Sequence, residues 1–306
     1  MTAAAAFFDL QVNGYAGVDF NQDDLDADQL HRACERLEAD GVAGLLATII
    51  TDDLSAMCHR LSRLAKLREA NPLATRLIAG VHIEGPFLNQ LDGYRGAHPL
   101  DAIRSADVDS MARLLDAAHG LTRVVTLAPE SDPGSAVTRL LASRGIIVSA
   151  GHTDATLDQL RRAIDAGLSM FTHVGNGCPM LMNRHDNIIQ RALSFADELW
   201  LCFIADGAHV PFVALRNYLK LAREDHAIVV TDAIAPAGLG PGRYTFGRWD
   251  LEIGTDMVAR APDGSHLVGS GITMKQNADN LQRAIGLSES VVRRLTLENP
   301  RIAIGV

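Results

Sequence analysis

Short apolar runs rich in β-branched residues alternate along this chain with longer stretches of helical periodicity. The runs are Phe7–Val12, Ala43–Ile50, Leu77–Ile83, Arg123–Leu127, Ile146–Ala150, Ser169–His173, Leu199–Ala205 and Ala227–Thr231. Amphipathic stretches separate them, among them Leu25–Ala39, Leu54–Glu69, Ala155–Ala166 and Phe212–Arg223. Continuous apolar runs suit strands buried on both faces, and strand–helix alternation calls for parallel strands joined by crossover helices. Eight such units predict an α/β fold, a (β/α)8 TIM barrel, as one domain over residues 1–306. The rhythm breaks between Ala233 and Ser270. There "RYTFGRWDLEI" and "MVARAPDGSHLVGS" look antiparallel, with turn chemistry at Pro262, Asp263 and Gly264, and predict a β-hairpin elaboration after strand eight.

The strand ends share a design. Strand one runs into "DLQVNGYAG", strand three into "VHIEGP", strand five into "VSAGHTDAT", strand six into "FTHVGNG", strand seven into "IADGAHV" and strand eight into "VVTDAIAPAG". Each puts a polar group beside Gly or Pro where an apolar strand stops. In (β/α)8 barrels the C-terminal ends of the strands build the active site, so these groups are expected to form one ring.

Composition narrows the classes. The chain has 306 residues, 47% of them hydrophobic, with 28 basic against 37 acidic side chains and a formal charge of −9. That balance argues against nucleic acid or an anionic membrane as partner, and leaves a small anionic substrate open. Cys34, Cys58, Cys178 and Cys202 show no C-x-x-C spacing, which fits reduced thiols and a cytoplasmic location. The apolar start meets Asp9 without a basic segment, unlike a signal peptide, and no window approaches a membrane span.

Chemistry comes last, because the spacing is long. Glu84, His152 and His173 supply one carboxylate and two imidazoles, a common catalytic zinc set, but only if the barrel gathers them. A solvated carboxylate and two hydrogen-bonded histidines account for the same residues. Asp232 is equally a general base or the cap of a turn. His82 shares the Glu84 strand and suits a structural role, while His31, His59, His119, His226 and His266 are assigned to surfaces or loops. Neither a nucleophile elbow nor a phosphate-binding P-loop is present.

Taken in order, "DLQVNGYAGVDF", "HIEGPFLN", "RGAHP", "GHTDAT", "THVGNG", "IADGAHV", "VTDAIAPAG", "GSGITM" and "NPRIAIGV" resemble the motifs of the N-acetylglucosamine-6-phosphate deacetylases of the amidohydrolase superfamily. The resemblance implies a metal-dependent hydrolase that removes the N-acetyl group of N-acetylglucosamine 6-phosphate. It implies one divalent metal ion, zinc as a rule, on Glu84, His152 and His173, since Gln11-Val12-Asn13 stands where two-metal relatives carry H-x-H. It implies Asp232 as the catalytic aspartate and His98 as the group that polarises the acyl carbonyl. Gln11, Asn176, Gly177, Arg184, His209 and the segment Leu267, Val268, Gly269, Ser270 are then expected to contact the sugar phosphate.

Three departures qualify it. The β-sandwich of the family is expected to be absent or reduced to strands around Arg243–Val258. Gly175 replaces an aromatic and Gly177-Cys178 replaces Ala-Met, and "RHDNIIQRAL" follows in place of a glycine-rich continuation. These leave open a different N-acyl sugar, an N-acyl amino acid or a cyclic amide. A non-catalytic sugar-phosphate binder would be expected to have lost a ligand or Asp232, and neither is lost. A homo-oligomer that covers a surface left by the sandwich is a further expectation.

Overall fold

The structure, a computed structural model, describes residues 7–246, 249–254, 257–260, 267 and 269–306. Eight parallel strands follow one another in spatial order: β1 Phe7–Val12, β2 Val42–Ile50, β3 Ile78–Glu84, β4 Thr122–Leu127, β5 Ile147–Ala150, β6 Leu168–Phe171, β7 Trp200–Ile204 and β8 Ala227–Val230. Each is hydrogen-bonded to the next. The sheet curls until Ala233, just past β8, meets Val12 in a parallel bridge, and the barrel is nearly closed.

The helices start where the sequence supplies caps. Asp26 with Gln29, Thr156 with Gln159 and Thr273 with Gln276 form reciprocal capping boxes before Ala27–Ala39, Leu157–Asp165 and Met274–Asn280. Each box satisfies two backbone donors that a helix start leaves unpaired. The helix Phe212–His226 leaves helical geometry at Arg223, where the amphipathic pattern also ends.

The lumen is layered, and the layers follow from residues two apart on one strand. Leu46, Val124 and Met170 form an apolar floor with Phe8, Leu10, Cys202, Ile228 and Val230, into which Leu297 and Ala303 pack from the C-terminal helices. One step up stand Thr48 and Thr126 on the same strands and Thr172 just past the end of β6, all buried, with Ser149 and His82 beside them. His82 Nε2 meets Thr126 Oγ1 at 2.7 Å, Thr126 meets Thr172 at 2.7 Å, and Thr172 meets Ser149 at 2.6 Å. Glu84 caps this polar tier at the end of β3.

After β8 the chain forms a three-stranded antiparallel sheet, β9 Gly242–Phe246, β10 Trp249–Ile253 and β11 Ala259–Arg260, one strand more than a hairpin. Leu251, Ile253 and Ala259 share a buried cluster with Ile234 and Ala235. No helix among the described residues is long and apolar enough to cross a membrane.

Candidate functional site

Glu84 is 3% exposed at the last residue of β3, and the turn that follows holds it there. Thr51 Oγ1 donates to its carbonyl at 3.0 Å. Gly85 adopts φ +86°, and a Cβ on it would strike that same hydroxyl, so only glycine serves. Two histidines converge on the carboxylate. His173 Nε2 lies 3.1 Å and His152 Nε2 3.3 Å from Oε1, while Gln11 Nε2 donates to Oε2 at 3.2 Å. His98 Nε2 completes the group, 3.2 Å from His152 Nε2.

The backbone aims these side chains. His152, His173 and Asp232 all occupy the left-handed region, with φ of +50°, +33° and +52°. Such a residue costs about 1–3 kcal/mol and persists where its surroundings over-determine it. For His152 the surroundings are two loops. Its Nδ1–H donates to the Tyr94 carbonyl at 2.8 Å, and a Cβ on Gly96 or Gly177 would come within 3.0 or 2.9 Å of its ring. Beside it, the Glu130 carboxylate accepts from Asn89 Nδ2 at 2.7 Å, from the Asp154 N–H at 2.8 Å and from the Thr153 hydroxyl.

The donor set fits a cation. The bond to Tyr94 fixes the His152 tautomer, so its inward Nε2 offers a lone pair; the ring nitrogens of metal-binding histidines are commonly set this way. One ligand atom each of Glu84, His98 and His152 lies within 4.8 Å of the others, and His173 joins through Glu84 Oε1. His98 Nδ1 and His173 Nδ1 have no hydrogen-bond partner although buried. Burial works against the Glu84 charge, but the adjoining His152 and His173 rings outweigh it and hold the carboxyl well below its usual range. Burial, then the neighbouring His152, pushes His98 down to about 3, so it is neutral near pH 7.

Asp232 follows β8, half-buried. Burial and then the Glu84 charge push it up to about 6, opposed by His173 and by the Asn13 amide, which donates to Oδ1 at 2.7 Å. His209 Nδ1 donates to Asp206 Oδ2 at 2.6 Å, which leaves Nε2 for a ligand. Asn176 folds back, its side-chain amide 3.3 Å from the His173 carbonyl. Arg184 is exposed on the following loop. Ser270 is buried and pairs with the Asp232 segment: its N–H donates to the Asp232 carbonyl at 3.0 Å, and its own carbonyl accepts from Ile234. Gly269 packs on Ile234 and Leu267 bridges to Arg260, whereas Val268 lies outside the described residues.

The structure thus gathers Gln11, Glu84, His98, His152 and His173 by direct contact, and leaves Arg184 apart on the loop. Gly175, in place of an aromatic, does not open the mouth in the way its size suggests. A Cβ there would meet Val210 at 2.9 Å, so that space is filled. Sequence reasoning missed Asn13, Tyr94 and Asp206. Asn13 stands two residues after Gln11, and the period of a strand was the signal that could have found it. Nothing in the sequence marked Tyr94, which acts through its backbone carbonyl.

No sequence-family model matches the chain. Among curated proteins it is 34% identical to a human N-acetylglucosamine-6-phosphate deacetylase, over 96% of this chain and 72% of that protein. It is 30% identical to an N-acetylgalactosamine-6-phosphate deacetylase of Escherichia coli O157:H7, over 98% and 78%. Among solved structures, a mutant N-acetyl-D-glucosamine-6-phosphate deacetylase from Mycobacterium smegmatis in complex with N-acetyl-D-glucosamine 6-phosphate superposes with a TM-score of 0.89 at 30% identity, over 99% of this chain and 78% of that one.

Proposed function

The chain belongs to the N-acetylglucosamine-6-phosphate deacetylase family of amidohydrolases, and from that premise we propose that it hydrolyses the acetamide of N-acetylglucosamine 6-phosphate to acetate and glucosamine 6-phosphate. The observation that carries the reading is the convergence of Glu84, His98, His152 and His173 at the end of the barrel where Asp232 also emerges.

Of the four converging groups, Glu84, His152 and His173 are assigned to one divalent ion, zinc, and His98 to the substrate; two imidazoles and a carboxylate are a frequent zinc set. When bound, the ion supplies Lewis acidity to the acetamide carbonyl and lowers the pKa of water toward neutrality. The protein groups do the rest. His98, neutral and buried, donates a hydrogen bond to the acyl oxygen and stabilises the charge that builds there as the carbonyl becomes tetrahedral. Asp232 takes a proton from the attacking water and gives it to the leaving nitrogen, which departs as an amine. Its raised pKa suits that exchange better than an ordinary carboxylate would. Asn13 holds Oδ1, so Oδ2 is the oxygen available for the proton.

The sugar phosphate is assigned to the rim. Arg184 gives a charge-assisted contact to the phosphate, His209 a second through Nε2, and Gln11, Asn176, Gly177 and the Leu267–Ser270 segment border the sugar. One domain accounts for the whole, since the sheet after β8 is packed on residues adjoining Asp232. Four free cysteines and a phosphorylated substrate suit the cytoplasm.

A second reading has its own support. The galactosamine relative is as similar as several glucosamine ones, so the 4-epimer is the alternative substrate. Amine release from both epimers by zinc-loaded protein tests the proposal. Faster turnover of N-acetylglucosamine 6-phosphate is expected; a preference for the galactose epimer moves the assignment to that sugar, and turnover of neither sinks it.

A further inference from the structure

Every barrel strand is tied to the next by a ladder, yet β8 meets β1 through a single bridge, Val12 with Ala233, among the described residues. Above that bridge the Asn13 and Gly14 N–H groups donate to the Ala233 carbonyl at 2.7 and 3.2 Å, and below it side chains close the seam. Asp9 Oδ1 accepts from the Thr231 N–H at 3.2 Å and from the Gln11 N–H at 3.2 Å, and Oδ2 accepts from the Thr231 hydroxyl at 2.5 Å. That hydroxyl accepts in turn from the Ala233 N–H at 3.0 Å. Thr231 and Ala233 flank Asp232, so a carboxylate 222 residues earlier in sequence holds the chain before the proposed base directly and, through the Thr231 hydroxyl, the N–H after it.

A merely structural seam would not be built this way. Asp9 is 2% exposed and none of its hydrogen bonds comes from a cationic side chain. Burial pushes it up to about 7, against the hydrogen bonds from Thr231 and Gln11 that favour its charge. An apolar pair would join two strands without that desolvation cost. What an apolar pair cannot do is hold the Thr231 N–H and, through the hydroxyl, the Ala233 N–H on either side of a residue at φ +52°.

We infer that Asp9 is a positioning residue for Asp232, acting through the Thr231 hydroxyl. The inference rests on Asp232 being the base in the proposed deacetylation. The Asp9–Thr231 contact selects the left-handed backbone at Asp232, and Asn13 and Ser270 then complete the placement from the side chain and the carbonyl.

The test is Thr231→Val, which keeps shape and deletes the hydroxyl, beside Thr231→Ser, which keeps the hydroxyl. A displacement of about 1 Å costs on the order of 100-fold in rate, so kcat for Thr231→Val is expected to fall about 10- to 100-fold. KM and the bound metal per chain are expected to stay near wild type, and Thr231→Ser to recover most of the rate. A Thr231→Val protein that loses thermal stability but keeps the wild-type kcat overturns the inference. If Thr231→Val does not fold, Thr231→Ala set against Thr231→Ser makes the same comparison, because those two variants differ only in the hydroxyl. If the wild-type protein releases no amine, the functional reading fails first. The crystal structure of Thr231→Val then decides alone: Asp232 leaving the left-handed region supports the inference, and an unchanged φ overturns it.

Discussion

His173 and Arg184 are eleven residues apart (184 − 173), yet they belong to two differently built regions. His173 and its partners are fixed from several sides: Glu84 by Gln11, His152 and His173, His152 by Tyr94, Asp232 by Asn13. The loop with Arg184 is held mainly by its far end, where Arg191 ties Asp186 to Asp154, and its tip leaves Met180 98% and Leu181 93% exposed. The strand ends therefore arrive with their side chains arranged, whereas on the proposed sugar-phosphate rim the ligand is expected to order the contacts. A rigid scaffold that carries adaptable loops is a common division between reaction and specificity.

That contrast makes unequal predictions for the two regions. Asp232→Asn keeps the shape and removes the base, and kcat is expected to fall about 10³-fold or more with the metal still bound. In the wild type the same carboxylate is expected to set the acid limb of the rate profile. Its folded pKa is raised to about 6, so the active, ionised form is lost as pH falls through that value, and a bound cation moves the limb lower. An acid limb that persists at the same pH in the residual activity of Asp232→Asn would separate Asp232 from the proton transfer. On the rim, Arg184→Met is expected to raise KM about 10- to 100-fold, the size of a charge-assisted contact, with kcat little changed. Equal losses in kcat and kcat/KM would instead place Arg184 among the reacting groups and erase the contrast. Gly177→Ala tests where the regions touch. Its Cβ would meet the His152 ring at 2.9 Å from a backbone at φ +59°, and about a 10-fold loss of metal affinity is expected by titration against a chelator.

The two regions also differ in how much of them the sequence disclosed. The barrel was legible because parallel strands buried on both faces give apolar runs, and β1 falls on Phe7–Val12 as expected. The misplaced ends are informative. β6 was expected to run to His173 and stops at Phe171, and β8 was expected to run to Thr231 and stops at Val230. In both cases the ladder yields just before a residue turned into the left-handed region to aim its side chain. A propensity pattern records apolarity and does not record that turn. Asn13 and Asp9 were hidden for a different reason: their partners lie 219 and 222 residues away and meet them only once the barrel closes. The rim was legible only through family motifs, and there the chain departs from them.

The polar tier under the site extends the comparison to stability, with the smallest effect on activity. His82 donates Nδ1–H to the Leu10 carbonyl at 3.1 Å and accepts from Thr126 at Nε2, a neutral ring fully used. Burial pushes it down to about 4 from 6.5, opposed by the Glu84 charge and the Leu10 carbonyl. Between those two values the unfolded chain binds a proton that the folded one refuses. Stability therefore rises with pH across that window and is lost as pH falls from about 7 to 4, by about 3 kcal/mol for a shift of this size. His82→Gln cannot take up the proton in either state. Denaturant unfolding of the metal-free proteins at both pH values is expected to show the variant losing less stability than the wild type on acidification, by roughly that amount. Parallel losses in the two proteins would mean that His82 titrates alike folded and unfolded. The tier would then be open to water, and the dry floor it needs beneath Glu84 would have to be sought elsewhere.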